Sequence, residues 1–410
     1  MKLIKSQAVT DTTLTYSSVP ENDFAAWDSA TTYAEGDQVI VTTPNIHKIY
    51  KSKSAGNHNH DPVTDTTNTY WSDEGSTNRW KMFNQTIQQQ TTSSNVTETI
   101  TVTVSGGKFL VNGVSQDTLT LYEGSTYQFD ESDATNGTHP LRLSETSDGT
   151  HGGGGVEYTT GVTTAGTPGS GGAYTQIVVA ADAPTLYYYC STHSGMGGQA
   201  DTLSGGFNVT ITPNQIVNGL SVVNCSTESI TIKMIDPTEG TVFNQTFSMV
   251  SDSGITSWYD YFFTPIGRDA DLAVLTLPAY SSAAIKVFFN DAGTAKVGAL
   301  VLGTVETIGD SQYGASFGII DYSTKTTDSA GNVTITAGSY SDTADIDVII
   351  ETARFSAVKK ILTDARTTPS VWIAEENTDG LIIYGYFREF SILMTNPTVS
   401  LTTLSIEGLT

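Results

Sequence analysis

A period of two dominates this chain. Apolar and polar residues alternate from Gln38 to Thr42, in ETITVTV (Glu98 to Val104) and in FNVTITP (Phe207 to Pro213), as in strands with one face on a core. Beyond Pro213 the same texture continues through VNGLSVVNCSTESITIKMID, GTVFNQTFSMV, SWYDYFFTP, DLAVLTLPAY and AAIKVFFN, each closed by turn residues. It resumes in SVWIA, LIIYGYF, FSILMT and TVSLTTLSIEG. One segment breaks the rule. In FSAVKKILTDARTTP, Val358, Ile361, Leu362 and Ala365 fall at i, i+3, i+4 and i+7, with Pro369 beyond, which predicts a helix near 355–367. The chain therefore reads as mainly β and multidomain, with that helix inside a C-terminal β-sandwich. No repeat of fixed period is found.

Changes in texture divide the 410 residues. Residues 1–24 read as an N-terminal assembly arm. Residues 25–84 form a very small β-module rich in aromatics, as a core of few residues requires. The polar run QTIQQQTTSSNV and the strand after it, residues 85–104, read as a linker and strand. Residues 105–206 are a glycine-rich block of short strands, and 207–410 the C-terminal β domain. ITVTV before the block and NVTITP after it look like two copies of one strand, as an insertion into a strand junction would leave.

Composition narrows the partners. Nineteen basic against 43 acidic side chains leave a formal net charge of −24, which phosphate backbones and anionic membranes repel. No apolar run approaches the ~18–20 residues of a membrane-spanning helix, so no membrane insertion is expected. The N-terminus MKLIKSQAVTDTTLTY lacks the apolar core of an export signal. Two cysteines, Cys190 and Cys225, make no disulfide framework. H-E-x-x-H and P-loop patterns are absent, and an enzyme is not expected.

The glycine-rich block carries one constellation with chemical meaning. THPLRL brings His139; some fifty residues later TLYYYC delivers Cys190, followed by His193 and Met196. Two imidazoles and a thiolate with a weak axial thioether are the donors of a mononuclear type of copper centre. The strand-like TLYYYC leading into C-x2-H-x2-M resembles the cupredoxins, and the short ligand loop is most similar to the amicyanin type. The resemblance covers about a quarter of the chain. It implies a cupredoxin-like β-sandwich with copper held by His139, Cys190, His193 and Met196. A sandwich of this kind folds on its apolar core without metal, so the fold alone does not establish copper. His151 lies outside the pattern and reads as a loop histidine. His58, His60 and Asp61 form a second, weaker cluster that base rates assign to a solvated loop.

AWDSATTYAEGDQVI, KIYKSKSAGNHNHDPV and YWSDEG, within Trp27 to Trp80, resemble the small chitin-binding modules attached to chitinases. That resemblance implies sugar rings stacked on exposed aromatics. Trp71 aligns with the family's terminal stacking tryptophan and Tyr70 stands beside it; Tyr50 and Trp80 complete the candidate carbohydrate-binding set. Trp27, Tyr33 and Tyr50 align with positions that more often form the core, and a module of this size needs its aromatics there.

NRWKMFNQT, DYSTKTTDSAGNVTI, TTPSVWIAEE and YGYFREFSILMTNPTVSLTTLSIEGL resemble a family of tailed-phage virion proteins, tail-associated or carbohydrate-binding, over roughly three quarters of the chain. The resemblance implies a structural protein of the tail tip, baseplate or a fibre, made in the host cytoplasm without a signal peptide. It would be homo-oligomeric, in contact with other tail proteins and adhering to a host-surface glycan by multivalent, individually weak contacts. Two other readings stand beside it: a copper electron-transfer protein, and a secreted polysaccharide-binding protein, for which an export signal is expected.

Overall fold

The computed structural model describes residues 1–410 apart from 204, 252–254, 266, 292, 328, 376–380 and 395. The molecule is mainly β and multidomain, as the alternation predicts.

A large body is built from two sheets. One has five strands, in the order Leu14–Ser17, Gly206–Ile211, Ala284–Asn290, Ser229–Asp236 and Gly240–Ser248. The other has eleven strands, among them Lys296–Thr307, which lies between Gly219–Ser226 and Lys2–Ser6. Strand Ser229–Asp236 shows why such segments become strands: its side chains are alternately buried and half-buried along its whole length. The buried ones (Ile230, Ile232, Met234) join Val209, Ile285, Val287 and Phe289 from its own sheet and Leu220, Val222 and Val297 from the larger one in a single core.

The far half of the eleven-stranded sheet bends over a second core. There helix α2, Phe355–Ala365, inserts Val358, Leu362 and Ala365 beneath Trp372, Leu404 and Ile406. The helix matches the predicted apolar face, with Ile361 at its half-buried margin.

Residues 1–24 are not a free arm. Strand Lys2–Ser6 lies between Lys296–Thr307 and Ser370–Ile373, antiparallel to both, with Leu3 and Ile4 fully buried. Leu14–Ser17 adds an edge to the five-stranded sheet against Gly206–Ile211. Alternating apolar residues near a terminus show that a strand forms; which strand it pairs with is a long-range property.

The chain leaves this body twice. On the first excursion it builds the small module, a three-stranded sheet (Gln38–Val41, Lys48–Ser52, Trp71–Ser76) beside the pair Thr32–Tyr33 and Asn57–His58. It returns through a 3-10 turn, Asn78–Phe83, and the short strand Thr91–Thr92, which pairs with Lys296–Thr307. On the second excursion it builds a sandwich of a six-stranded and a four-stranded sheet, and comes back as Gly206–Ile211.

The split-strand reading is corrected here. Thr97–Ser105 pairs with Lys108–Val111 and, in parallel, with Thr126–Asp130, and so belongs to the second sandwich; Gly206–Ile211 belongs to the body. The inserted domain thus begins near Val96, whose side chain lies in its core, rather than at 105. The segment Ser257 to Thr264, expected as a strand, is a short helix, α1 (Trp258–Phe263), capped by Ser257.

Candidate metal centre

The inserted sandwich closes over one core, in which Phe109, Phe129, Leu141, Leu143, Tyr188 and Cys190 are fully buried. The ligand strand Leu186–Cys190 runs through the middle of the four-stranded sheet, between Leu141–Ser144 and Gly198–Leu203. Its alternation buries Leu186, Tyr188 and Cys190 together. Leu141 is the direct cross-strand partner of Cys190, so the first-histidine loop, which ends at Leu141, stands over the thiol.

Three of the four predicted donors converge there. The Cys190 Sγ lies 3.8 Å from His139 Nδ1 and 3.6 Å from His193 Nδ1, and the two imidazole rings are 4.6 Å apart at their centres. One ligand atom from each residue falls within 4.8 Å of the other two, and among the described residues this is the one group of three or more His, Cys, Asp or Glu able to share an ion. Met196 is buried in the same core as Cys190. The three burials are graded: Cys190 is sealed, His139 half-buried and His193 exposed, so one imidazole edge faces solvent.

The spacing fits an ion. Metal–sulfur and metal–nitrogen bonds of about 2.3 and 2.05 Å, opened by about 110–120°, set sulfur and nitrogen about 3.6–3.8 Å apart. Two imidazoles and a thiolate, with a methionine buried in the same core, are donors suited to copper. Burial, with the neighbouring His193 second, holds His139 below the ordinary imidazole range and so favours the neutral ring.

The two ligand loops are tied to one another. Thr192 donates its hydroxyl to the Thr138 carbonyl at 2.7 Å, and the same oxygen lies 3.1 Å from Cys190 Sγ. Ser191 N–H donates to the Pro140 carbonyl, and Gly195 N–H to Asp148. Beneath, the buried Glu131 accepts from Leu141 N–H and from the Thr175 hydroxyl, which places a carboxylate two residues from His139. His151, expected as a loop histidine, sits with Nε2 3.0 Å from the Cys190 carbonyl and braces the ligand strand. Gly149, at φ +55°, lets its turn lie flat on Tyr189, where a Cβ would stand 2.4 Å from the ring. Thr192, Glu131 and His151 carry no spacing signal; Thr192 alone, inside C-x2-H, was open to suspicion from sequence.

The candidate carbohydrate set does not form a platform. Trp71 is 1% exposed, packs edge-on against Tyr33 at 5.2 Å and donates Nε1–H to the His60 carbonyl at 2.8 Å. Tyr50 is buried in the same core, and Tyr70 packs half-buried against it, covered by His60 at a ring separation of 3.4 Å. Trp80 is buried elsewhere, stacked 3.7 Å from His47. A sheet of three strands has no other apolar volume to close on, and its aromatics are used up inside. His58 and His60 turn to different partners, Thr32 and Asn57, so they form no cluster with Asp61.

His47 has its own network. Its Nε2 lies 2.6 Å from Asp11 of the body and its Nδ1 3.0 Å from Glu21. The inserted sandwich is joined to the body similarly, by Tyr16 donating to Glu98 at 2.5 Å and by Lys286 near Asp117.

No protein-family model matches the chain, and no curated protein matches it in sequence.

Proposed function

We propose that this protein is a structural protein of a tailed-phage particle that displays a copper-binding, cupredoxin-like domain. The copper assignment rests on one observation: His139 Nδ1, Cys190 Sγ and His193 Nδ1 meet within 4.8 Å, with Met196 in the adjoining core. His139, Cys190 and His193 would hold the ion, with Met196 as the weak fourth donor. Bound copper would supply a one-electron couple. The protein's own contribution is to fix the donors: Thr192 ties the two loops, Glu131 anchors the first, and the apolar sandwich excludes water from the thiolate side.

The particle assignment rests on the sequence resemblance, supported by the architecture. Two small domains project from one β body, an arrangement suited to display.

The copper half is tested by adding Cu(II) to the purified chain. An intense visible thiolate-to-copper absorption band is expected, together with its loss in Cys190→Ser. A protein that binds Cu(II) without colour, or that shows the same band in Cys190→Ser, refutes it. The particle half is tested by mass spectrometry of purified virions, where absence of the chain refutes it.

A further inference from the structure

Helix α1 places five aromatic rings in water. Trp258, Tyr259, Tyr261, Phe262 and Phe263 are each between 66% and 79% exposed. They touch mainly one another: Tyr259 lies 4.7 Å from Phe263, and Trp258 stacks at 6.3 Å on Phe262. A two-stranded ribbon, Val250–Ser251 with Gly267–Arg268, flanks the helix in the chain, and Arg268 pairs with Asp291 and Glu228. An isolated cluster of this size on a soluble surface marks a contact site.

The distribution of the rings selects the occupant. At about 100° per residue the five aromatics span about 200° of the helix circumference, with Asp260 in the remaining arc. A groove on a protein takes a stripe about 100° wide; an arc of 200° is taken by a medium that surrounds the tip. Charge gives the second criterion. Ile255 to Phe263 contains no Lys, Arg or His, and its one carboxylate is turned back to accept from Thr256 and Ser257. A tip without cations on a chain of net charge −24 has nothing to offer an anionic headgroup. A sugar platform needs side chains that bond hydroxyls beside its rings, and Asp260 is already committed to the cap.

We infer that α1 is an interfacial anchor that seats its aromatic rings in the headgroup region of a neutral, zwitterionic lipid bilayer without spanning it. Tryptophan and tyrosine favour that depth, with the ring in the apolar zone and the polar tip toward water. This inference does not depend on the copper site.

The probe is the full chain with phosphatidylcholine vesicles. Trp71, Trp80 and Trp372 are buried and Trp27 is half-buried in the small module, so a change in tryptophan emission on adding vesicles reports Trp258. The expected result is co-flotation with the vesicles, a blue shift, quenching by brominated lipid, and no loss of binding at high salt. Phe262→Ser and Phe263→Ser each lower the bound fraction by roughly tenfold or more. Both sites are exposed, so the melting temperature stays unchanged and folding is controlled. Trp258→Phe keeps flotation and loses the emission change. The inference is overturned by any of four results: no flotation, flotation only on anionic vesicles, binding to a glycan array that the serine variants abolish, or an oligomer that the serine variants dissociate.

Discussion

His47→Gln should release the small module from the body while leaving both folded. In the native protein the imidazole is 6% exposed and lies between Asp11 and Glu21, with its face on Trp80. Hydrogen bonds to charged partners contribute about 1.5–3 kcal/mol each, and neutral ones about 1. Glutamine can keep one bond to a carboxylate, loses the second and gives up the stacked ring, so docking weakens by about 2–4 kcal/mol. Acid should act the same way. Burial pushes the Glu21 carboxyl up, but bonds from His47 and Thr77 and the charges of His47 and Arg79 outweigh it and hold the group below its ordinary range. A depressed carboxylate gives stability that is present above its unfolded value and lost as the pH falls through the folded one. The assay is amide hydrogen exchange at neutral pH, comparing residues 38–52 and 71–76 with strand Ser229–Asp236. Faster exchange at the module's contact with the body, with the body strand unchanged, is expected. Equal protection in wild type and His47→Gln would refute the reasoning.

Other outcomes follow from single contacts. Burial outweighs the bonds from Leu141 and Thr175 and the charge of Arg142, and raises the Glu131 carboxyl. A raised carboxyl contributes stability below its unfolded value that is lost as the pH rises through the folded one. The inserted domain should therefore melt higher at mildly acidic pH, and Glu131→Gln should flatten that dependence in calorimetry. Trp71→Ala should cost about 3–5 kcal/mol, the range for emptying a buried aromatic site. Near-ultraviolet dichroism should show the small module unfolded; a folded module that has lost only sugar binding would restore the platform reading.

Much of the architecture is written locally. The alternation in Ser229–Asp236 and the 3.6-residue period of Phe355–Ala365 each match the burial observed. The residues of the candidate metal centre were legible because three of them share a short loop and the fourth follows a turn, so that spacing carries the geometry. Other features are settled by distant partners. Leu3 and Ile4 show apolar character, but nothing nearby tells that Ser370–Ile373 will cover them. Thr97–Ser105 and Gly206–Ile211 look alike because both alternate apolar and polar residues, yet the first is partly exposed, the second is buried along its whole length, and they serve different sheets. Trp71 was assigned by analogy to an exposed position, and the small size of its module argued for burial from the start. In SWYDYFF the aromatics suggested a strand, whereas Ser257 three residues before Asp260 is a helix-capping pattern that the structure uses.

The placing of strand Lys2–Ser6 has a consequence in time. It leaves the ribosome before either of its two neighbours, Lys296–Thr307 and Ser370–Ile373. Both projecting domains are complete within residues 25–203 and can close on contacts of short sequence separation while the first strand still waits. The body is sealed only when this strand is captured between two partners synthesised after both smaller domains. A chain stopped before Ser370 would carry a folded inserted domain on a body whose Ile4 still lacks Val371, its cross-strand neighbour.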